Sequence, residues 1–308
     1  LHAPILRACI SKLRQGAGLP ADFNEGLLVL LPKKGLGTVE DTRPLVINNT
    51  DNRIIAKCVK ESINDALEGI LSDHQNGFRD GRSTDSNITY FNEKFYSAME
   101  DGRYYDILFA DFQKAFDSVN HEAIFTLLDC TGFDKATINT IRALFNKAHC
   151  YTTIRGATPV RIDFHSGVKQ GCPLSPSLFI LIMDVLIEML VETTGADIKC
   201  YADDLALGIE NIQTCITTIQ NCFRIFGKAT GLHINSGKSA VVPTAGATSL
   251  RDHLKRVGWA DMQVLGSATY LGIPIGKDVD LDMVFKQPHD KLVARLKKFM
   301  PIKHKYSL

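Results

Sequence analysis

The sequence predicts an α+β fold, an antiparallel sheet with helices on one face, and the order of its hydrophobic patterns carries that prediction. Strand-like and helix-like segments alternate as strand, helix, hairpin, helix, strand pair, helix, strand. Two short strand-like runs, Ile198 to Ala202 and Leu205 to Ile209, flank Asp203 and Asp204, the arrangement of two strands joined by a tight acidic turn. Directly after them Ile212, Cys215, Ile216, Ile219, Cys222, Phe223 and Phe226 repeat at helical spacing up to Gly231, the clearest amphipathic helix in the chain.

The remaining elements follow in chain order. Leu27 to Leu31, closed by Pro32, Lys33, Lys34 and Gly35, is expected as a buried strand leading into a basic turn that could face phosphate. Asn49 to Leu71 carries Ile54, Ile55, Cys58, Val59, Ile63, Ala66, Leu67 and Ile70 near helical period, with Arg53, Lys57 and Lys60 on the other face. Tyr104 to Ala110 is a β-type run that ends in Asp111, so Asp111 sits at a strand end. Asn120 caps the next helix, which Gly132 stops, and a second helix spans Lys135 to Lys147. Tyr151 to Arg155 and Val160 to Phe164, joined across Gly156 and Pro159, look like a hairpin. Beyond the Gly167 to Cys172 loop, Ser175 as cap and Pro176 in the first turn open a helix to about Glu192. It is apolar nearly all round and should be buried.

Composition bounds the function. The chain has 308 residues, 45% apolar and 22% charged, values of an ordinary globular protein with room for a sizeable core. No repeat or low-complexity linker breaks it, so one continuous unit with subdomains is expected. The net charge is +1, so a polyanion would have to be met by local clusters. One lies at the end, where Lys286, Lys291, Arg295, Lys297, Lys298, Lys303 and Lys305 face only Asp290, although a solvated helix face would read the same. The closest cysteines, Cys215 and Cys222, are seven residues apart, which leaves no C-x-x-C pair for zinc. Most cysteines fall in apolar stretches, as expected of reduced core thiols in a nuclear or cytoplasmic protein. The longest apolar runs fall short of the roughly 18 residues of a membrane span, so no membrane partner is expected. The chain begins at Leu1 and its last helical pattern reaches the final residues, as a piece of something longer would.

The carboxylates carry the chemistry. Gathering Asp111, Asp203 and Asp204 to about 4 Å costs about 4 kcal/mol per pair at an effective dielectric near 20, so such a cluster calls for a cation or a solvated turn. Mg²⁺ suits hard oxygen ligands, and two ions about 4 Å apart stabilise both attacking and leaving oxygens in phosphoryl transfer. On spacing alone, a plain hairpin turn is the better explanation of Asp203 and Asp204, because an acidic pair at a turn is common.

Read with their neighbours, these residues resemble the reverse transcriptase domain of non-LTR (LINE-type) retrotransposons. Tyr201-Ala202-Asp203-Asp204 reproduces the family's YADD box. The stretch Asp111 to Asp117, DFQKAFD, resembles its first catalytic box, and SGVKQGCPLSPSLF at 166 to 179 resembles the box that follows. Upstream, LPKKG at 31 to 35, Arg43-Pro44-Leu45 and HQNGFRDGRST at 74 to 84 are similar to the finger segments. Downstream, Gly231 to Lys238 and Tyr270-Leu271-Gly272 are similar to the last palm boxes. The resemblance covers about residues 25 to 280.

It implies a right-hand polymerase fold: fingers mainly in 1–103 with part of 130–170, a ferredoxin-like palm mainly in 104–280, and the start of a thumb in 281–308. The implied activity is RNA-directed DNA synthesis, transferring nucleotides from dNTP to a primer 3′-hydroxyl on an RNA template, within a larger retroelement polyprotein. Asp111, Asp203 and Asp204, with Phe112 beside the first, would hold two Mg²⁺ ions, for which Mn²⁺ could substitute. Phe116 matches the aromatic gate that excludes the ribose 2′-hydroxyl. Lys33 and Arg43 match positions that grip triphosphate. Gln170 and Gly171 would let the backbone approach the nucleotide closely. Lys238 is placed like the palm lysine proposed to protonate pyrophosphate. Arg53 and Lys57, and Lys291, Arg295 and Lys298 where the thumb begins, would contact nucleic acid. Phe116 and Ala202 argue against an RNA-directed RNA polymerase, and the Pro173 to Pro176 run against a group II intron enzyme. An inactive remnant that only binds nucleic acid is disfavoured by the intact carboxylates.

Overall fold

The computed structural model describes every residue except 1–2, 21, 34–41, 153–157 and 300–308. Lys34, Gly35, Arg155, Gly156, Lys303 and Lys305, named in the sequence reading, lie outside the described residues. The first half runs α1 (Ala3–Arg14), β1 (Glu25–Pro32), β2 (Thr42–Asn48), α2 (Thr50–Ile70), α3 (Thr84–Glu100), β3 (Asp106–Ala110), α4 (Ala115–Ser118), α5 (His121–Cys130) and α6 (Lys135–Phe145). It continues with β4 (His149–Thr152), β5 (Val160–Asp163), α7 (Ser175–Thr194), β6 (Asp197–Tyr201), β7 (Asp204–Ile209) and α8 (Ile212–Thr230). The last part is β8 (Ala240–Pro243), α9 (Ala247–Arg256), β9 (Gln263–Val264), β10 (Ser267–Tyr270), β11 (Ile273–Gly276) and α10 (Leu281–Phe299).

A five-stranded sheet ordered β6-β7-β3-β8-β9 forms the centre. Its first four strands are antiparallel neighbours, and β8 pairs with β9 in parallel. Strand β3 lies between β7 and β8, so β3, α7, β6, β7, α8 and β8 make two interlocked β-α-β units, the ferredoxin-like arrangement expected. Leu108, Leu205, Leu207 and Val241 turn to one face, where they join the core of α7 and α8 with Phe179, Leu186 and Phe223. Ile107, Phe109, Ala206 and Val242 turn to the other, where Phe91 and Phe95 of α3 and Tyr270 and Ile275 of the β10–β11 hairpin meet them. Helices on one face only was therefore incomplete: β3 is apolar at every position from Ile107 to Ala110, and a strand of that kind needs both faces covered.

A second sheet, β2-β1-β4-β5, stands beside the first, with α1, α2, α5 and α6 packed into the same core. Strand β1 overturns an expectation. It forms, but Leu27, Leu30 and Leu31 are 42%, 36% and 45% exposed. An apolar run gives strand content but not the layer above it, and among the described residues nothing covers that part of the sheet.

Helix ends follow local chemistry. The Asn120 and Asn211 side chains accept from the Glu122 and Gln213 backbone N–H groups and start α5 and α8. Gly231 ends α8 in the left-handed conformation, at φ +81°. Ser175 is not the cap of α7 as expected; Leu174 holds that place with helical backbone, and Ser175 is already the first helical residue. Of the cysteines, Cys150, Cys200 and Cys222 are buried, whereas Cys9, Cys58 and Cys130 are exposed rather than in the core. Among the described residues no helix is long and apolar enough to cross a membrane.

Candidate active site

Register alone brings the carboxylates together. Strand β3 pairs with β7 so that Ala110 faces Leu205. One step further along an antiparallel pair, Asp111 comes level with Asp204. The β6–β7 register pairs Tyr201 with Asp204, which leaves Ala202 and Asp203 as a two-residue turn. Asp204 is thus the first residue of β7, and Asp203 alone of the two acids belongs to the turn.

Asp111 is fixed from the neighbouring segment. Its N–H donates to Ser239 Oγ at 3.0 Å, and its carbonyl accepts from Asn235 N–H at 2.7 Å. The Asn235 side chain also bonds its carboxyl. Loss of water raises the pKa of Asp111, and the nearby Lys238 and Lys33 ammonium groups pull it back. Asp203 is raised by desolvation and by Asp111. Asp204 is exposed, yet the surrounding protein removes enough water, with Asp203 and Asp111 adding repulsion, to push it up to about 6. Like charges therefore meet at one point with two lysines beside them.

Among the described residues no three His, Cys, Asp or Glu side chains stand together so as to hold a metal ion by themselves. The donor set is nevertheless all hard oxygen, as Mg²⁺ requires and zinc-thiolate chemistry does not. Phe112 can add only its backbone carbonyl. Its side chain is buried against Phe223, with ring centroids 6.0 Å apart.

Phe116, five residues past Asp111, is half-buried. Its ring stacks on Phe179 at 4.4 Å and meets the edge of the exposed Phe78 at 6.1 Å. The loop from Ser166 to Cys172 is tied to the same stretch: Gly167 N–H donates to the Val119 carbonyl and Val168 N–H to the Phe116 carbonyl, each at 2.7 Å. Gln170 bonds the Asp117 carboxyl through its side chain, while its carbonyl accepts from Val46 N–H of β2 at 2.7 Å. Gly171 sits at φ +118°, and a Cβ there would lie 2.4 Å from the Val46 carbonyl oxygen. A glycine is obligatory at that approach. This loop, Leu28, Pro44 and Asp117 line a cavity of about 330 Å³ against the four-stranded sheet.

Lys33 follows the end of β1 and influences both Asp111 and Asp117. Arg43 is exposed on β2 opposite Leu31, at the same end of that hairpin. Lys238 is exposed and close enough to act on Asp111. The structure thus gathers Asp111, Asp203, Asp204, Lys33 and Lys238. Arg53 and Lys57 lie instead on the exposed face of α2, and Lys291, Arg295 and Lys298 on exposed faces of α10, which packs near β11.

Sequence reasoning gave no role to the residues behind the acidic hairpin. Buried Gln75 bonds Ala202, buried Asn87 donates to the Tyr270 hydroxyl at 3.1 Å, and that hydroxyl donates to the Lys199 carbonyl at 3.1 Å. Gln75 and Tyr270 fall inside segments quoted for the resemblance, so the signal was present without a physical function attached.

Residues 31–275 match the reverse transcriptase (RNA-dependent DNA polymerase) family. The chain is 28% identical over 233 residues to the Transposon TX1 uncharacterized 149 kDa protein of Xenopus laevis, covering 72% of this chain and 18% of that protein. It is 30% identical over 243 residues to the Retrovirus-related Pol polyprotein from type-1 retrotransposable element R2 of Popillia japonica, covering 74% of this chain and 33% of the polyprotein. It therefore spans a third or less of either relative. In fold it is similar to apo telomerase from Candida tropicalis, with a TM-score of 0.59 at 14% identity over 87% of this chain and 50% of that one. This likeness bears out the right-hand polymerase fold. With the family matched over most of its length and its relatives drawn from such elements, the chain belongs to the reverse transcriptases of non-LTR retrotransposons.

Proposed function

We propose that this chain is the polymerase core of a retroelement polyprotein, copying an RNA template into DNA by adding deoxynucleotides to a primer 3′-hydroxyl. Target-primed synthesis in the nucleus or cytoplasm would be its setting. The observation that supports this reading best is the meeting of Asp111, Asp203 and Asp204 at one sheet end with Lys33 and Lys238 beside them. Reverse transcriptases work with divalent metal ions. Here two Mg²⁺ ions, or Mn²⁺ in their place, would be held by Asp111, Asp203, Asp204 and the Phe112 carbonyl. Bound there, the ions would acidify the primer hydroxyl and offset charge on the leaving pyrophosphate.

The chain's own side chains do the rest. Lys33 and Arg43 hold the triphosphate, the first as a point charge and the second as a fork. Lys238 stands ready to give a proton to the leaving pyrophosphate. Phe116, braced flat on Phe179, presents its ring where a ribose 2′-hydroxyl would collide. Gln170 and Gly171 bring backbone up to the nucleotide. Arg53 and Lys57 on α2, and Lys291, Arg295 and Lys298 on α10, meet template-primer phosphates. On this reading the five-stranded sheet is the palm, the four-stranded sheet belongs to the fingers, and α10 begins the thumb.

The test is primer extension on a poly-A template with dTTP and Mg²⁺. Asp203→Ala should lower the rate by about 10³-fold, the equivalent of about 4 kcal/mol of transition-state stabilisation. Its melting temperature should stay close to that of the parent chain, since Asp203 occupies a turn. Activity within about threefold of the parent would refute the assignment.

A further inference from the structure

Ala202, the first residue of the Ala202–Asp203 turn, has φ +59° although it carries a Cβ. Left-handed backbone at a non-glycine residue costs about 1–2 kcal/mol, and hairpin turns usually place glycine or asparagine there. Left to itself, this turn would relax and carry Asp203 with it.

What holds it is Gln75, a fully buried side chain outside the reacting groups. Its Oε1 accepts from Ala202 N–H at 3.0 Å and from Gly77 N–H at 2.8 Å, and its Nε2 donates to the Ala202 carbonyl at 3.3 Å. The backbone around it is laid along β6: Cys200 N–H donates to the His74 carbonyl and Asn76 N–H to the Cys200 carbonyl, both at 2.8 Å. Gly77 presses closest, where a Cβ would stand 2.1 Å from the Ala202 nitrogen. The carbonyl that Gln75 grips belongs to the peptide whose nitrogen is Asp203's own. Fixing that peptide plane on one side and Ala202 N–H on the other sets the direction in which the Asp203 carboxyl leaves the turn.

We propose that Gln75 is a positioning residue for cation capture: it pins the left-handed Ala202 turn so that Asp203 is aimed at Asp111 before any ion arrives. The inference rests on the reading of Asp203 as a metal ligand. A preorganised ligand needs less reorganisation on binding, and loss of an outer support of this kind lowers metal affinity about 10- to 100-fold.

The experiment measures Mn²⁺ binding by electron paramagnetic resonance in the whole chain with RNA template, chain-terminated primer and dTTP, alongside the melting temperature. Gln75→Met should weaken Mn²⁺ binding at least about tenfold. Gln75→Asn, still polar but too short to span Ala202 and Gly77, should do the same and serves if the first variant does not fold. Adding Ala202→Gly to either variant should recover at least about half of the loss, because glycine holds the turn without steric cost. Parent-like Mn²⁺ affinity in the Gln75 variants with a lowered melting temperature would overturn the proposal and leave Gln75 as packing alone. Asp203→Ala, measured beside them, separates the two failures. If Asp203→Ala loses Mn²⁺ while the Gln75 variants keep it, only this inference falls; if Asp203→Ala keeps Mn²⁺, the ligand reading falls and takes it along.

Discussion

The ring of Phe116 is neither a core residue nor a free one. It rests flat on Phe179 and edge-on to Phe78, half-buried, five residues past Asp111. Phe116→Ala should therefore raise ribonucleotide use about tenfold or more relative to deoxynucleotide use, because exclusion works through a penalty that the smaller side chain removes. Stability should fall by less than the roughly 3–5 kcal/mol of a fully buried phenylalanine. Measuring kcat/KM for dTTP and UTP with the melting temperature checks both parts; parallel loss of the two activities with a large thermal shift would make the ring structural. Asp204 gives a second test. Its carboxyl is raised to about 6, above the unfolded value near 3.9. Between those values the folded chain binds more protons than the unfolded one, so this group contributes stability at low pH that is lost as pH rises toward 6. A divalent cation favours the ionised form, so Mg²⁺ should raise the melting temperature more at about pH 7.5 than at about pH 5. An equal rise at both would place the ion elsewhere. The acids and Phe116 could be singled out from sequence because the proposed chemistry calls for side chains of those types at that spacing. Gln75 was not, because a buried glutamine declares its function only through the backbone atoms it meets.

Elements were legible to the degree that local chemistry defines them. The asparagine caps of α5 and α8, the glycine end of α8 and the β6–β7 hairpin follow from residues within a few positions of each boundary. The misplaced cap of α7 is a local, one-residue matter, whereas the two larger misreadings share one cause, which is that the deciding contact is distant in sequence. Leu27 to Leu31 reads as buried by content, yet burial requires a covering layer from elsewhere in the chain. The second face of the five-stranded sheet is closed by α3 and the β10–β11 hairpin, from opposite sides of β3 in sequence. That closure also serves the acidic hairpin. Tyr270 on β10 reaches through the layer to Lys199 of β6, and Asn87 on α3 holds the Tyr270 hydroxyl. The downstream Tyr270-Leu271-Gly272 segment thus supports the turn from behind, while His74 to Gly77 clamps it from the side.

Across the molecule, the acids sit on one sheet and Lys33 and Arg43 on another, so a working site depends on how the sheets are joined. The join is the Ser166 to Cys172 loop, which bonds Phe116 and Val119 on one side and Val46 on the other. Gly171 is its tightest point: at φ +118° it approaches the Val46 carbonyl so closely that a methyl group would lie 2.4 Å from the oxygen. Backbone cannot yield there as a flexible side chain could, so Gly171→Ala should push β2 away from the loop. Val46 and Val168 are buried beside this contact, so a lower melting temperature should accompany the change, and the kinetics are read on chain that remains folded. If Arg43 holds the triphosphate as proposed, it would then be carried off it, raising the KM for dTTP about tenfold, or about 1.4 kcal/mol, with a smaller change in template-primer affinity. Arg43→Ala should move the same two quantities in the same direction. If the glycine acts by placing Arg43, the two changes share one cause, and the double variant should be little worse than either single one. Steady-state kinetics on the two single variants and the double decide it. Effects that multiply would mean the loop acts on the nucleotide directly, and an unchanged KM in Gly171→Ala would mean the sheets are joined by something other than this contact.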